Sequence, residues 1–114
     1  MYAYAPHING TDPIAHPDVK PAEVRAIDYL WAVKTADTHI NFWTPLAHGN
    51  AIEAGWAEEH GIPSIAVFEA GHPLSRLVRG LNNHETVIEY DTISGLQWEL
   101  GRLLVRKQIE LHNE

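Results

Sequence analysis

The sequence predicts an α/β domain built on a mostly parallel sheet. Short apolar segments with strand character alternate with segments of helical period, and this alternation is typical of parallel strands joined by helical crossovers. The clearest strand is the uninterrupted apolar run Ser64–Phe68, which is typical of a strand buried on both faces. With 114 residues the chain has room for one domain, expected as a single three-layer Rossmann- or flavodoxin-like arrangement that is shortened at its N-terminus.

The first part of the chain is predicted to be irregular. Residues 5–22 are rich in Pro, Gly, Asp and His, which favours a long loop, and Tyr2–Tyr4 is a candidate strand before it. Pro21–Lys34 is predicted to be helical, because its apolar residues recur at helical spacing and a proline stands in the first turn. We therefore divide the chain into an irregular segment, 1–22, and an α/β core, 23–110.

The other elements follow in order along the core. The pattern predicts a strand at Thr38–Trp43, a loop at Thr44–Gly49, a helix at Asn50–His60 that ends at Gly61, the strand at Ser64–Phe68, a short helix at Pro73–Leu81, a strand at Thr86–Tyr90 and a helix from Ile93 to about Ile109. Ligands of open parallel sheets bind beyond the carboxyl ends of the strands. We therefore expect the site near the segments Thr44–Gly49 and Glu69–Ser75.

Charge and hydropathy exclude several classes of protein. The formal net charge is −7 and the basic residues are few and scattered, whereas nucleic-acid binding depends on clustered cations that neutralise phosphates. We therefore expect no nucleic-acid partner, although one small anion can still bind at a helix N-terminus. No apolar run approaches the roughly 20 residues that span a bilayer. No basic-then-apolar leader opens the chain, so we expect no signal peptide. We also expect no membrane partner.

Cysteine and histidine usage argues against a metal centre. The chain has no cysteine, which excludes disulfides and thiolate metal sites and fits a reducing cytoplasm. Its eight histidines form no HxH, HExxH or HxxxH pair that would place two imidazoles on one ion. We therefore predict a cytoplasmic protein that uses no metal and no cofactor.

The segment most informative about function is 49–57, Gly-Asn-Ala-Ile-Glu-Ala-Gly-Trp-Ala, which follows a predicted strand and opens a predicted helix. Gly49 allows a ligand to approach the backbone, and the helix dipole favours an ionised Glu53. A carboxylate held beside a sugar can attack the anomeric carbon or stabilise an oxocarbenium-like transition state. An alternative interpretation is a capping box from Asn50 to Glu53, in which Glu53 only accepts a backbone N–H.

Several short motifs occur together in one order. They are Asp28-x-x-Trp31 before the central strand, Ala36-Asp37 at its start, Gly49-x-x-x-Glu53-x-Gly55-x-Ala57 followed by Gly61-Ile62-Pro63, and Leu74-Ser75-Arg76-Leu77-Val78-Arg79-Gly80. In this order and spacing, residues 28 to about 107 resemble the nucleoside 2-deoxyribosyltransferase family, most closely its 2′-deoxynucleoside 5′-monophosphate N-glycosidase branch. The resemblance implies cleavage or transfer at the N-glycosidic bond of a 2′-deoxynucleoside or its 5′-monophosphate.

The resemblance also implies a role for each matched residue. Glu53 stands where the family has its nucleophile, and Asp28 where it has an acid that orients the sugar or assists the leaving base. Gly49 would help to cradle the phosphate, with Asn50 beside it at the substrate. Ser75 stands where a serine from the neighbouring subunit contacts the phosphate, which implies a homodimer or higher homo-oligomer with a shared active site.

Three further residues are substrate-binding candidates. The hydrolases carry a serine two residues before the motif glycine, where this chain has Ala47, and the adjacent His48 is expected to replace that hydroxyl as an anion partner. Trp43, at the end of the central strand, is the best candidate for stacking on the base, although aromatic residues at this spacing more often belong to a core. Tyr4 is a candidate for the aromatic residue of the family's N-terminal unit.

Two other functions remain open at this point. One is a module of the same fold that binds a nucleotide or sugar phosphate without cleaving it. The other is a structural or assembly role in which tryptophans form subunit contacts.

Overall fold

The chain forms an α/β domain, as predicted, in which helices accompany a three-stranded sheet whose strands are all parallel. The computed structural model describes residues 18–44 and 48–112, with side chains in the second range as far as residue 110. The elements, in chain order, are α1 (Pro21–Tyr29), a π-helical segment (Leu30–Thr35), β1 (His39–Phe42), α2 (His48–Glu59), β2 (Ser64–Glu69), α3 (Arg76–Arg79), β3 (His84–Tyr90) and α4 (Ile93–His112).

The sheet has the strand order β1-β2-β3, so β2 is its central strand. Every residue of β2 except Glu69 is buried, which confirms the interpretation of the apolar run. Its alternate side chains face opposite helical layers. Ala66 and Phe68 pack with Ala54 of α2 and with Trp43, whereas Ile65 and Val67 pack with Leu96 of α4.

Three elements begin two or three residues away from their predicted starts. α2 begins at His48 rather than Asn50, because the Asn50 side chain does not cap the helix and instead donates to the Phe42 carbonyl, at 2.6 Å. α3 is a single turn of four residues, because the hydroxyl of Ser75 accepts the Val78 N–H and fixes the start of the helix there. β3 begins at His84 instead of Thr86.

The first predicted helix is α-helical only as far as Tyr29. From Leu30 to Thr35 it is π-helical, and the Ala36 N–H bonds to the Trp31 carbonyl five residues earlier, at 3.1 Å. The apolar spacing of this segment does not distinguish a π-turn from an α-turn. Turns of this kind are frequent beside functional sites, and this one follows directly after Asp28 and Tyr29.

The end of α2 follows the prediction closely. Gly61 has a φ of 68°, a conformation that residues with a Cβ rarely adopt. The Ile62 N–H reaches back to the Ala57 carbonyl at 2.9 Å and closes the last turn. Ile62 and Pro63 then lead into β2, which begins at Ser64.

Two predicted features lie outside the described residues. They are the candidate strand Tyr2–Tyr4 and most of the irregular segment, residues 1–17.

Among the helices within the described ranges, none combines the length and the apolar character needed to cross a bilayer.

Candidate active site

A cavity of about 320 Å³ opens between α1 and α2, on the side of α2 that faces α1. Its volume is at the lower end of the range of small-molecule sites. The cavity is lined by Pro21, Val24, Arg25, Asp28, Gly49, Ile52, Glu53 and Trp56. It therefore brings together both residues predicted to be catalytic, Asp28 and Glu53, with the motif glycine, Gly49.

Asp28 and Glu53 reach the cavity from different helices. Asp28 lies in the last turn of α1, and Glu53 lies in the second turn of α2. Burial, and to a smaller extent the negative charge of Asp28, together raise the pKa of Glu53 to about 7. The two carboxyl groups thus form an electrostatically coupled pair, in which Glu53 holds its proton into the neutral range.

His39 lies beneath Glu53, at the start of β1. Its Nε2 is 3.9 Å from Oε2 of Glu53, and only 9% of the residue is exposed. Burial lowers the pKa of His39, and the neighbouring Asn41 side chain acts in the opposite direction with a smaller effect. Since the imidazole is therefore uncharged at neutral pH, its contact with Glu53 is polar and not an ion pair.

Asn41 is a second buried polar residue on the face of β1 that carries His39. It is 2% exposed, and its side-chain amide donates to the hydroxyl of Ser64 in β2 at 3.4 Å. Three polar side chains, from His39, Asn41 and Ser64, therefore lie where an ordinary α/β core would have apolar ones.

Arg25 also lines the cavity. Its guanidinium carbon lies 5.6 Å from the ring centroid of Tyr29 and 5.5 Å from that of Trp56. The two rings meet edge to face, 5.1 Å apart. Among the described residues that line the cavity, Arg25 is the only cation, so it is the natural partner for an anionic part of a ligand.

The residues predicted beside Glu53 on α2 take different positions. Gly49 lines the cavity, in the first turn of the helix. Asn50 lies at the third residue of the helix and ties α2 to the end of β1 through its bond to Phe42, so the capping-box alternative for Asn50 and Glu53 is wrong. His48 is exposed at the start of α2 and does not line the cavity.

The expectation that the site lies beyond the carboxyl ends of the strands is only partly met. Gly49 is the one described residue of the segment Thr44–Gly49 that lines the cavity, and no residue of Glu69–Ser75 does. The reason is that Glu53 stands well inside α2, so its side chain lies over the start of β1 at His39 and not over the strand end. Residues 45–47 lie outside the described ranges.

Three other candidates do not line the cavity. Trp43 is 5% exposed and packs into the core with Ala54 and Phe68, so its ring offers no free face to a base. Ser75 is exposed and caps α3, so any contact with a substrate would be in another copy of the chain. Tyr4 lies outside the described residues.

Two residues of the site were not singled out from the sequence, Arg25 and His39. A signal for His39 was present, because His39 and Asn41 alternate on a strand predicted to be buried, which aims both at one face. Arg25 gave no such signal, since an arginine on a helix is usually solvated. Its role depends on the angle between α1 and α2, which spacing does not encode.

The site offers no metal-binding cluster within the part of the chain that the structure describes. No group of three or more His, Cys, Asp or Glu side chains there is arranged to hold an ion.

Comparison of the sequence with protein-family models gives no match, and comparison with curated proteins gives none either.

The raised pKa of Glu53 predicts a specific dependence of stability on pH. Because the pKa of about 7 in the folded state exceeds the ordinary value of 4.5, the folded protein binds this proton more tightly than the unfolded chain. The resulting stabilisation is fully present below pH 4.5 and is lost as the pH rises through about 7. Relative to Glu53→Gln, the wild type should lose about 2 to 3 kcal/mol of unfolding free energy between about pH 5 and about pH 8.

Urea unfolding at a series of pH values measures this difference. Asp28→Asn should reduce the loss, because it removes the second cause of the shift. Glu59→Gln, at an exposed position of the same helix, is the control for removing one carboxylate. A wild-type-to-Glu53→Gln difference that does not change with pH would contradict the burial of Glu53 next to Asp28.

Proposed function

We propose that this protein cleaves or transfers the N-glycosidic bond of a 2′-deoxynucleoside or its 5′-monophosphate, with Glu53 as the nucleophile. The observation that carries the proposal is the meeting of Asp28 and Glu53 in one cavity the size of a small molecule, although they come from separate helices and from separate motifs. The resemblance to the deoxyribosyltransferase family assigns these two residues to the reaction, and their shared cavity supports that assignment.

The proposed reaction proceeds in two displacements. An oxygen of the ionised Glu53 carboxylate attacks the anomeric carbon, the carbon–nitrogen bond breaks, and its electron pair stays on the leaving base. Asp28 orients the sugar or assists the leaving base. In the second step, water or another base attacks the anomeric carbon of the sugar ester and releases Glu53, so hydrolysis and transfer differ only in the second acceptor.

Only the ionised form of Glu53 can act as the nucleophile. Since its pKa is about 7, about half of the carboxyl groups are ionised at neutral pH. A pKa near the working pH is common in active sites, where burial and neighbouring charges shift titration into the physiological range.

The phosphate end of a substrate has two candidate partners. Arg25 lines the cavity itself, and a guanidinium is well suited to phosphate oxygens. Ser75 does not line the cavity of its own chain, so its proposed contact requires a homodimer with a shared site. A monomer in sedimentation experiments, under conditions where the protein is active, would contradict that shared site.

Loss of the Glu53 carboxylate should abolish base release. We expect free base from at least one of the four deoxynucleosides or their 5′-monophosphates with the wild type, and a loss of about 10³-fold or more with Glu53→Gln, because the substitution removes the proposed nucleophile. Chromatography of the reaction mixtures measures the released base.

The wild-type kcat/KM should rise with pH and level off above about 7, as Glu53 ionises.

Glu59→Gln is the matched control and should retain activity, since Glu59 is exposed and lies outside the cavity. No base release from folded wild-type protein would reject the glycosidase. If calorimetry then detected a bound nucleotide or sugar phosphate, with an affinity unchanged in Glu53→Gln, the chain would be a binding module.

Arg25 should discriminate between the two substrate classes. Arg25→Met keeps a long apolar side chain against Tyr29 and Trp56 but removes the charge. If the guanidinium binds the 5′-phosphate, KM for the monophosphate should rise about tenfold or more, while KM for the nucleoside changes little. Arg76→Met, on the exposed face of α3, is the control. Equal effects on both substrates would show that Arg25 does not bind the phosphate.

A further inference from the structure

His39 has an environment that neither the fold nor the proposed reaction explains. It is the first residue of β1, it is almost fully buried, and its Nε2 points towards Oε2 of Glu53 at 3.9 Å. Among the described residues its Nδ1 is buried without a hydrogen-bond partner. An apolar side chain at this position would avoid the cost of burying that polar atom.

The unpartnered Nδ1 indicates which nitrogen carries the proton. A neutral imidazole has one N–H and one lone pair. A buried N–H without an acceptor is rarer in proteins than an acceptor without a donor. The proton is therefore better placed on Nε2, where the Glu53 carboxylate is the acceptor. The separation exceeds hydrogen-bond length by about 1 Å, a distance that rotation of the flexible glutamate side chain can close.

Charged and titratable groups approach Glu53 from α1 and from β1. Arg25 and Asp28 line the cavity with Glu53 from α1, and the guanidinium of Arg25 lies against the rings of Tyr29 and Trp56. Asp28 is an acid whose charge opposes ionisation of Glu53. From β1, the Nε2 of His39 lies 3.9 Å from Oε2 of the same carboxyl group.

We infer that His39 is a positioning residue, which donates from Nε2–H to the Glu53 carboxylate and holds it ionised and aimed into the cavity. This inference rests on the proposed function for its catalytic consequence, but the contact itself is testable without a substrate. A hydrogen bond to a charged acceptor favours the ionised state. His39 therefore offsets part of the effect of burial and of Asp28 on Glu53.

The test compares His39→Leu, which removes the donor, with His39→Gln, whose amide nitrogen lies near the position of Nε2. The protein is labelled with ¹³C at the glutamate side-chain carboxyls, and the Glu53 signal is assigned by its absence from Glu53→Gln. In His39→Leu the midpoint of the Glu53 titration should move up by about one to two pH units. In His39→Gln it should stay closer to the wild type. The acid limb of kcat/KM should move in the same direction.

A merely structural role for His39 gives a different pattern. Unfolding free energy would then fall in His39→Leu while the Glu53 midpoint stayed unchanged, and that result would overturn the inference. A downward shift would overturn it too, because it would mean that His39 stabilises the protonated acid. If neither variant folds, the wild type labelled with ¹⁵N at histidine decides: an Nε2–H tautomer supports the inference, and an Nδ1–H tautomer contradicts it.

The two proposals fail in different ways. If the wild type releases no base but the Glu53 midpoint moves in His39→Leu, the glycosidase is rejected and the contact between His39 and Glu53 stands. If base release depends on Glu53 and the midpoint does not move, only the positioning role of His39 is rejected.

Discussion

Burial of one carboxyl group beside another determines the chemistry of this fold. Glu53 lies on a helix that packs on a sheet, where solvation of its charge is reduced, and the charge of Asp28 acts on it from a second helix. Both effects disfavour the ionised state and together raise the pKa of Glu53 to about 7. The result is an acid that titrates in the neutral range, a property suited to a group that must gain and lose charge during a reaction.

The position of Glu53 depends on contacts that α2 makes with the sheet and at its two ends. β2 is apolar throughout its buried length, so it anchors one helix on each face of the sheet. The positive φ of Gly61 ends α2 sharply and sets its position over β1. The bond from Asn50 to the Phe42 carbonyl fixes the other end of α2. Together these contacts place Glu53 over His39, so the geometry of the site follows from contacts made outside it.

The fold was predictable from sequence, because its signals are local. The apolar run of β2, the helical period of α4 and the terminal Gly61 each indicate an element without knowledge of the others. The pairing of Asp28 with Glu53 was predicted only through the resemblance between motifs. The positions of Arg25 and His39 were not predicted, because they depend on how α1 packs on α2 and how α2 packs on β1. Trp43 was misplaced for the same reason: spacing puts it at a strand end, and packing puts its ring in the core.

The proposed reaction depends on a covalent bond between Glu53 and the sugar, and direct detection of that bond tests the reaction most sharply. Acid-quenched mixtures of protein and deoxynucleotide, digested and analysed by mass spectrometry, should contain the peptide with Glu53 increased in mass by one deoxyribosyl or deoxyribosyl-phosphate group. The increase should be absent in Glu53→Gln and greatest early in the reaction. Base release without an adduct at Glu53 at any time, or an adduct on another residue, would contradict the account.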